Sequence, residues 1–576
     1  MRQPKLVYAA CLLALPFLGL SNASAQTATP TLPPADSQLP LGETARQASK
    51  PAVLDLRLGG QLNAPQGAGA VGLTIQSVQL VGEDIAGLPD MSRLLPTAGT
   101  RTSMADMYDL AGKLQQAYLD AGYPLVRVII PVQDLTSAQA EVRILVVNGF
   151  ISRVDSMGLP AKVQDLAASY ASTLVGQRSL RTPQLERAIM LAGEVAGLTL
   201  RPTLTAGTVQ GETVLVLTGD FRAVNYVFSV DNRLSDDLGK EQATLSVGLN
   251  SPFGRGERVN VTVATALENA SLSEDAARRY IGGTLDLPIG NKGLVLGLEA
   301  SLSTSRPGGD VSFLQLETEY KRVAVSATYP VWRSRNGTMN VRAQLDANEE
   351  SQTSNLLGFP VTLSRDETRV LRLSGDMGMR LTDTLSMTSD LEFAKGIDGL
   401  GARGIEDATD LEPLSRQGAD AAFAKAVLGY SITYASEKLP VSARLLLRGQ
   451  TSFDEPLLRS EQFSVASSDL ISGPPGGSLT GDSGYGARLQ VEGDLSIRRF
   501  GFSPYVFGAG STVHLVQPTA FERKDTDVSA YGGGVRALVP LPAQTLLSLN
   551  LEYSRTEGDR FSTKDKWTVF RMAVRR

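Results

Sequence analysis

Residues 338–348, Thr-Met-Asn-Val-Arg-Ala-Gln-Leu-Asp-Ala-Asn, decide the fold of this chain. Every second position is apolar, and these positions are Met339, Val341, Ala343, Leu345 and Ala347. A period of two places the apolar and polar sets on opposite faces of a β-strand. The same pattern returns in residues 440–451 and 545–553, and recurs from about Phe221 to the C-terminus. Because the polar face is rich in Arg, Asp and Glu, the pattern favours strands with lipid outside and a wet lumen inside.

The repeats predict a membrane β-barrel of about 16 antiparallel strands over residues 220–576. We expect strands centred near residues 228, 245, 263, 284, 298, 320, 343, 372, 390, 428, 445, 490, 507, 533, 550 and 571. The charged side chains predicted to face the lumen are Arg342, Arg444, Arg448, Arg488, Glu299, Asp346, Glu492 and Glu552.

The N-terminus indicates export. Residues 1–25 have a basic start, a short apolar segment and a small-residue cleavage site, which is typical of a secretory signal peptide. Residues 26–70 are rich in proline and glycine and are predicted to be flexible. Cys11, inside the signal, is the only cysteine, so the exported chain has no disulfides. The net charge of −5 gives no reason to expect nucleic acid binding.

Two small α/β modules are predicted before the barrel, over residues 71–154 and 155–219. In the first, Ser103 and Asp106 form a capping box that begins a helix, and Gly122 is placed to end it. In the second, Thr182-Pro183 opens a helix and Gly197 follows its end. Each helical part is followed by two strands.

Three short motifs lie in the first module at suitable spacing: Gly122-Tyr123, Pro131-Val132-Gln133 and Gly149-Phe150-Ile151. With the order of segments, they make the chain resemble the two-partner-secretion transporters of the Gram-negative outer membrane, the ShlB/FhaC/HecB type. In that family the modules are periplasmic POTRA domains. The resemblance implies that Tyr123, Pro131, Gln133 and Gly149 belong to a substrate-binding motif.

The resemblance also implies a function. An unfolded partner protein of the haemolysin or adhesin type would be captured in the periplasm and exported through the barrel without ATP. A small mixed sheet suits capture, because an extended peptide can add to a free edge through main-chain hydrogen bonds. The barrel would be surrounded by outer-membrane lipid and lipopolysaccharide. The alternatives are an assembly factor of the BamA kind, and a porin or surface-attachment barrel.

Family members carry a lid loop in the lumen, with a Val-Arg-Gly-Phe/Tyr tip whose Arg pairs with an Asp on a following strand. The equivalent loop here is Ser452–Asp482, and its tip differs. Ser472-Gly473 stands where the motif is expected, so Ser472 replaces the Arg, and Gly508 stands where the Asp is expected. The later part fits the family, with Gly481, Asp482, Gly484 and then Arg488 leading into a strand.

The sequence offers little for catalysis. His514 is the only histidine, so neither a catalytic triad nor a histidine metal site is expected. Glu406, Asp407, Asp410 and Glu412 cluster in a long loop, where solvation is favoured over ion binding. The glycines of residues 531–534 indicate relief of crowding in a strand rather than a phosphate loop. No catalytic residue, cofactor or metal is predicted.

Overall fold

The computed structural model describes residues 64–135, 139–268, 276–497, 500–559 and 565–576. The predicted signal peptide and most of the segment predicted to be flexible therefore lie outside the described residues. None of the helices in these ranges is both long enough and apolar enough to cross a bilayer.

The first module is a mixed four-stranded sheet packed on one α-helix. Its elements are β1 (Gly72–Val81), β2 (Arg101–Ser103), α1 (Met104–Asp120), β3 (Val126–Ile129) and β4 (Ala140–Asn148). The strand order is β2-β1-β4-β3, with β1 and β4 parallel. The predicted capping box is confirmed, because Ser103 Oγ accepts from Asp106 N at 3.2 Å and Asp106 Oδ2 accepts from Ser103 N at 2.8 Å. Gly122 follows the helix with a φ of 88°, as the sequence predicts.

The second module is a three-stranded sheet covered by two helices. Its elements are β5 (Phe150–Gly158), α2 (Ala161–Ser172), α3 (Thr182–Gly193), β6 (Leu198–Ala206) and β7 (Glu212–Phe221). The strand order is β5-β7-β6. The predicted boundary at residue 154 cuts through β5, which belongs to the second sheet, so the two sheets separate at Gly149. The sequence hides this division because β4 and β5 form one extended run with a single residue between them.

The remaining strands belong to the barrel and to a loop inside it. In chain order they are β8 (Val224–Asp231), β9 (Gln242–Asn250), β10 (Arg258–Ala266), β11 (Arg278–Ile289), β12 (Leu294–Ser305), β13 (Leu316–Ser334), β14 (Gly337–Ser354), β15 (Val361–Arg380), β16 (Leu385–Gly396), β17 (Ala424–Ala435), β18 (Val441–Thr451), β19 (Phe463–Ser464), β20 (Thr480–Gly481), β21 (Ser483–Gly493), β22 (Leu495–Ile497), β23 (Phe500–His514), β24 (Asp525–Leu541), β25 (Thr545–Gly558) and β26 (Asp565–Arg575). Short 3₁₀ turns include Asp236–Leu238, Gly309–Leu314, Ile405–Asp407 and Arg459–Glu461.

The barrel closes through antiparallel pairing of β26 with β8. Strands β21 and β22 form one interrupted strand of the wall, and β19 and β20 pair with each other outside the wall. Over the described residues the wall therefore has 16 strands, as predicted. Each of the predicted strand centres falls inside one of them.

The strand that decides the fold faces as predicted. In β14, Leu345 is 41% exposed on the outer face, whereas its neighbour Asp346 is fully buried on the lumenal side. The same alternation places the eight predicted lumenal charges on the inner face. Arg488 pairs with Glu552, and the other three carboxylates pair with further arginines of the wall, so ion pairs run along the lumenal wall.

The two ends of the barrel differ. At the end that carries the modules, strands are joined by short turns, such as residues 335–336 and 542–544. At the opposite end, called the loop end below, the long connections are residues 397–423 and 452–482.

Candidate functional site

Loop 452–482 enters the lumen from the loop end and packs against its inner wall. Leu470 and Ile471 in the loop are completely buried. The loop packs on an apolar area of the inner wall, called the wall patch below, which consists of Leu446, Tyr505, Phe507, Val528 and Ala530. This lumen is therefore not uniformly polar, since one part of its wall is apolar where the loop covers it.

The tip of the loop meets an ion pair that belongs entirely to the barrel wall. Arg488 Nη2 on β21 lies 2.9 Å from Glu552 Oε2 on β25, and the two side chains are 6% and 5% exposed. Ser472 Oγ donates to Glu552 Oε1 and accepts from Arg488 Nη1, the latter at 3.1 Å. The Tyr505 hydroxyl donates to Glu552 at 2.9 Å, and the guanidinium lies 3.6 Å from the centroid of the Phe507 ring. The loop thus contributes a neutral hydroxyl to a charged pair.

Glycines on β24 make room for this arrangement. A Cβ on Gly534 would lie 2.6 Å from the Tyr505 ring, and a Cβ on Gly532 would lie 3.1 Å from Phe507. Any side chain at these positions would push the aromatic rings away from the ion pair. The predicted role of the glycines in relieving crowding is confirmed, and the groups that need the space are those beside Arg488.

Asp482 holds the end of the loop that leads into β21. It is completely buried and forms an ion pair with Arg416, from the neighbouring loop 397–423. Its carboxylate also accepts from Leu457 N at 3.0 Å and from Val516 N at 2.7 Å. One carboxylate therefore joins three loops at the loop end.

Glu461 holds the part of the loop that follows β18. It lies 2.6 Å from Arg372 on β15 and 2.8 Å from Lys425 on β17, and its side chain is 2% exposed. Arg372 also pairs with Asp346 at 2.8 Å and with Glu392 at 3.1 Å, both on the wall. The loop is thus attached to a charge network that runs across neighbouring strands.

The structure brings several of the predicted loop residues together. Ser472 contacts Arg488, and Gly473 lies where any Cβ would approach the Trp567 ring. Gly481 packs against β23, where a Cβ would lie 2.9 Å from Val513 Cβ. Gly484 likewise allows close approach, because a Cβ there would lie 2.8 Å from the Phe463 ring.

The expectation for Gly508 is wrong. It pairs with Leu489 and Tyr531, whose side chains are 53% and 45% exposed on the outer face. Gly508 therefore faces away from the lumen, and a carboxylate there would not reach the lid. The inward neighbours are Phe507 and Ala509, one residue to either side.

Sequence reasoning missed the contacts of Glu461 and Arg416, and it did not pair Arg488 with Glu552. Glu461 gives only a weak signal in the sequence, because it is one of five acidic residues in loop 452–482 and nothing local sets it apart from the other four. Arg416 finds its partner in a separate loop, and Arg488 and Glu552 lie on strands that are not neighbours, so neither contact could be read from the local sequence.

In the first module, Gln133 clamps the sheet. Its Nε2 donates to the carbonyl of Arg143 at 2.9 Å, and its Oε1 accepts from Arg143 N at 2.9 Å. The side-chain amide thus imitates a strand neighbour for β4 beyond the end of β3. Pro131 ends β3 just before this clamp.

Tyr123 and Gly149 lie at the joint between the modules. The Tyr123 ring lies 5.6 Å from the guanidinium of Arg181 in the second module. A Cβ on Gly149 would collide with the carbonyl of Leu125. Asn148 beside it donates to Ser179 Oγ at 2.9 Å, which ties the two modules directly. These positions are structural for the joint, and substrate contact by them remains a prediction.

The second module is docked on the barrel. Glu194 lies 2.6 Å from Arg333, and Glu186 lies 2.6 Å from Arg335, at the turn after β13. Arg187 donates to the carbonyls of Val331 and Lys292, each at 3.2 Å. Ion pairs and main-chain hydrogen bonds therefore hold this module against two turns of the wall.

The remaining candidates do not gather around a reactive centre. His514 Nδ1 lies 2.7 Å from Asp525 Oδ1 at the loop end. In the acidic loop, Glu412 pairs with Arg365 and Arg403 at longer distances. Across the described ranges, histidine and carboxylate side chains form no group suited to holding a metal ion.

Two family models match the chain. Residues 211–533 match the model of haemolysin secretion/activation protein ShlB/FhaC/HecB. Residues 73–149 match the model of the POTRA domain, ShlB-type.

Individual relatives are distant in sequence. The heme/hemopexin transporter protein HuxB of Haemophilus influenzae (strain 86-028NP) is 20% identical over 250 residues, which are 43% of this chain and 43% of that protein. The chain thus aligns with less than half the length of this relative. The solved structure of CdiB from Escherichia coli has a TM-score of 0.69 at 17% identity and covers 94% of this chain and 97% of its own. CdiB from Acinetobacter baumannii has a TM-score of 0.60 at 15% identity and covers 92% and 95%. These likenesses show the fold.

Proposed function

Because this chain belongs to the haemolysin secretion/activation protein family ShlB/FhaC/HecB, we propose that it exports a large partner protein through its barrel without ATP. The resemblance seen in the motifs is confirmed, and the protein is an outer-membrane barrel whose POTRA domains lie in the periplasm. The loop end is accordingly extracellular.

The observation that carries this proposal is the way in which loop 452–482 is attached inside the lumen. Loop 452–482 has one main-chain hydrogen bond to the wall, at its very end, where Asp482 N donates to the carbonyl of His514 at 2.9 Å. Elsewhere it lies against the wall through side chains, and β19 and β20 pair only with each other among the described strands. A loop that is otherwise not hydrogen-bonded into the wall sheet can leave without opening the barrel. What remains is a channel with both signs of charge on its wall, which suits passage of an unfolded chain.

Capture is assigned to the first module. Its strand β2 pairs only with the first residues of β1, Gly72 to Thr74, so most of that edge has no strand neighbour in the described structure. An extended segment can add there through main-chain hydrogen bonds, which are largely independent of sequence. In the second sheet the edge strand β6 carries Pro202, which lacks the N–H that such pairing uses.

Lipopolysaccharide is proposed to surround the barrel at the level of an outward-facing charged cluster. Lys321 lies 3.0 Å from Glu319 on the outer face of β13, and Glu349 of β14 is its cross-strand neighbour. The positions just nearer the modules are apolar, with Val323 and Val325 half exposed. This change from apolar to charged is what the boundary between acyl chains and head groups requires.

Removal of the first module tests the proposal. A variant lacking residues 72–148 keeps the second module and its contacts with the barrel, so we expect it to insert normally. The variant is co-expressed with a large exported protein that has an N-terminal secretion domain, and the amount of that protein in the medium is measured. We expect it to disappear from the medium.

The outcome separates the alternatives. Undiminished export would contradict capture by the first module. Loss of many other barrel proteins would point to an assembly factor, and altered solute uptake with unchanged secretion would point to a porin.

A further inference from the structure

We infer that the lid opens only at its tip, residues 465–479, which an apolar stretch of the exported chain displaces from the wall patch while the base of the loop stays anchored. The base consists of residues 452–464 and 480–482. This inference rests on the proposed export function for its displacing agent, but the motion itself is testable without export.

The base is held by buried charges. Glu461 bonds Arg372 and Lys425, and its main-chain carbonyl also accepts from Lys425 Nζ at 2.8 Å. Asp482 bonds Arg416 and two main-chain amides. Pulling either carboxylate away would leave a buried cation without its partner, which is strongly unfavourable.

The tip is held by neutral groups. Asp469 is the one charged residue of the tip in the sequence, and its ion pair with Arg448 is long, at 3.7 Å, with both side chains almost half exposed. Such a pair contributes little. Ser472 supplies a hydroxyl, and Leu470 and Ile471 supply apolar contact.

The tip is also built to move as one unit. Val465 N donates to the carbonyl of Leu479 at 3.0 Å, and Ile471 N donates to the carbonyl of Val465 at 3.2 Å. The pairing of β19 with β20 joins the two ends of the tip where they meet the base. Its main-chain bonds therefore travel with it and do not have to break on release.

The wall charges stay paired after the tip leaves, although Arg488 Nη1 loses its hydrogen bonds to Ser472 Oγ and to the carbonyl of Leu470. Arg488 keeps Glu552, keeps Gln490 Oε1 at 3.1 Å, and keeps the Phe507 ring. Glu552 keeps Arg488 and Tyr505. Release thus creates no orphaned charge and instead exposes the wall patch to water.

An exposed wall patch is unfavourable unless another apolar group covers it. Apolar contact is non-directional, so different side chains of a moving unfolded chain can replace Leu470 and Ile471 in turn. The agent that displaces the tip is therefore an extended segment with apolar residues, rather than one specific sequence.

Two disulfides distinguish motion of the tip from motion of the whole loop. A Cβ built on Gly473 lies 3.0 Å from Trp567 Cβ, and a Cβ built on Gly481 lies 2.9 Å from Val513 Cβ. Disulfides have Cβ separations of about 3.8 Å, so both pairs are close to the required geometry and equally short of it. The tip tether is G473C/W567C and the base tether is G481C/V513C, in a mature chain that has no other cysteine.

The first readout is potassium chloride conductance of the full-length protein in planar bilayers. We expect oxidised G473C/W567C to lose channel openings by at least about tenfold and to regain them on reduction, whereas G481C/V513C should open within about twofold of wild type in both states. Loss of openings in the oxidised base tether would overturn the inference, because the whole loop would then have to move. Normal openings in the oxidised tip tether would overturn it as well.

The displacing agent is tested with two unfolded peptides of equal length added to the periplasmic side. One alternates leucine and serine, and the other alternates glycine and serine. We expect the leucine peptide to raise the open probability of wild type and of the base tether, and to leave the oxidised tip tether unchanged. Equal effects of the two peptides would refute displacement by apolar contact.

Single-cysteine variants and export complete the design. G473C and W567C alone should open normally, which shows that the tether and not the substitution closes the channel. If the proposed function is wrong, no variant exports a partner, yet the conductance difference between the two tethers persists. If the inference is wrong, wild type exports while the tethers fail to differ.

Discussion

Replacing Arg488 with methionine removes one member of the buried wall pair and leaves Glu552 with hydroxyl donors alone. The pair is short, at 2.9 Å, and nearly inaccessible to water. Removing one partner of such a pair typically costs about 3–5 kcal/mol, because the other charge stays buried and unpaired. We expect R488M and E552Q each to lower the free energy of unfolding of the barrel by about this amount.

The double variant R488M/E552Q separates the pair from its surroundings. It leaves no charge behind, so we expect it to be more stable than either single variant, with a coupling energy of about 2–3 kcal/mol. Ser472→Ala is the matched control on the lid, since it removes the two hydrogen bonds that the hydroxyl makes with Glu552 and Arg488 and leaves both charges paired. We expect Ser472→Ala to lower the free energy of unfolding by about 1.5–3 kcal/mol at most. No decrease is expected if the tip leaves the wall before the barrel unfolds.

Urea unfolding of the detergent-folded protein measures these energies, with fluorescence from Trp332 and Trp567, which both lie on wall strands. A coupling energy below about 0.5 kcal/mol would show that the two side chains do not interact, and would refute the role assigned to the pair. A Ser472→Ala variant as unstable as R488M would show instead that the lid, and not the wall, carries the pair.

Three further predictions concern other parts of the molecule. Gly508→Asp should destabilise the folded barrel in lipid vesicles by about 1–3 kcal/mol, whereas Ser503→Asp on the lumenal face of the same strand should cost much less, and equal costs would contradict the facing assigned here. Gly149→Ala should loosen the joint and speed protease cleavage between the modules, while Gly112→Ala, where a Cβ has open space in a helix, should leave cleavage unchanged. Hydrogen bonds from the N-cap serine lower the pKa of Asp106, so its stabilisation of α1 is complete above the ordinary pKa of 3.8 and is lost as the pH falls through the lower folded value. Asp106→Asn should remove this acid dependence of thermal unfolding, and an unchanged dependence would refute the assignment.

The barrel was predictable because a strand has a period of two that repeats over hundreds of residues. Within residues 338–348 of β14 the apolar residues lie outside and the polar residues inside, as the sequence indicates. An error of a few residues in a strand boundary does not disturb such a pattern. The strand count and the lumenal position of Arg488 and Glu552 followed from it.

The same period of two made the prediction for Gly508, the expected partner of the lid, sensitive to a shift of a single residue. Alignment of a motif by spacing alone carries an error of at least one residue, and one residue reverses the face. Spacing alone predicts that Gly508 faces the lumen, whereas its neighbours Phe507 and Ala509 are the residues that face inward. Alternation within Val506–Gly510 cannot correct this, because glycine and alanine mark neither face.

Contacts across the lumen were beyond reach for a different reason. Arg488 and Glu552 are separated on the wall by β23 and β24, and they meet only because the wall is curved and Gly532 and Gly534 leave space between them. Nothing local in either strand records that separation. The division between the modules at Gly149 was hidden similarly, because it depends on which sheet β5 joins rather than on its own sequence.

A lid tip without an arginine is consistent with a wall that carries its own arginine. If the arginine that pairs with Glu552 were on the tip instead of the wall, opening would leave Glu552 as an unpaired carboxylate in a partly dehydrated lumen. This would cost several kcal/mol. With Arg488 on the wall, the carboxylate is paired whether the lid is closed or open, and opening trades a hydroxyl and some apolar area for water. The ionic attachment is then moved to Glu461 and Asp482, at the parts of the loop that need not leave. Loss of the expected arginine therefore does not mean loss of the closed state; it changes which part of the loop is held firmly and which part is free to go.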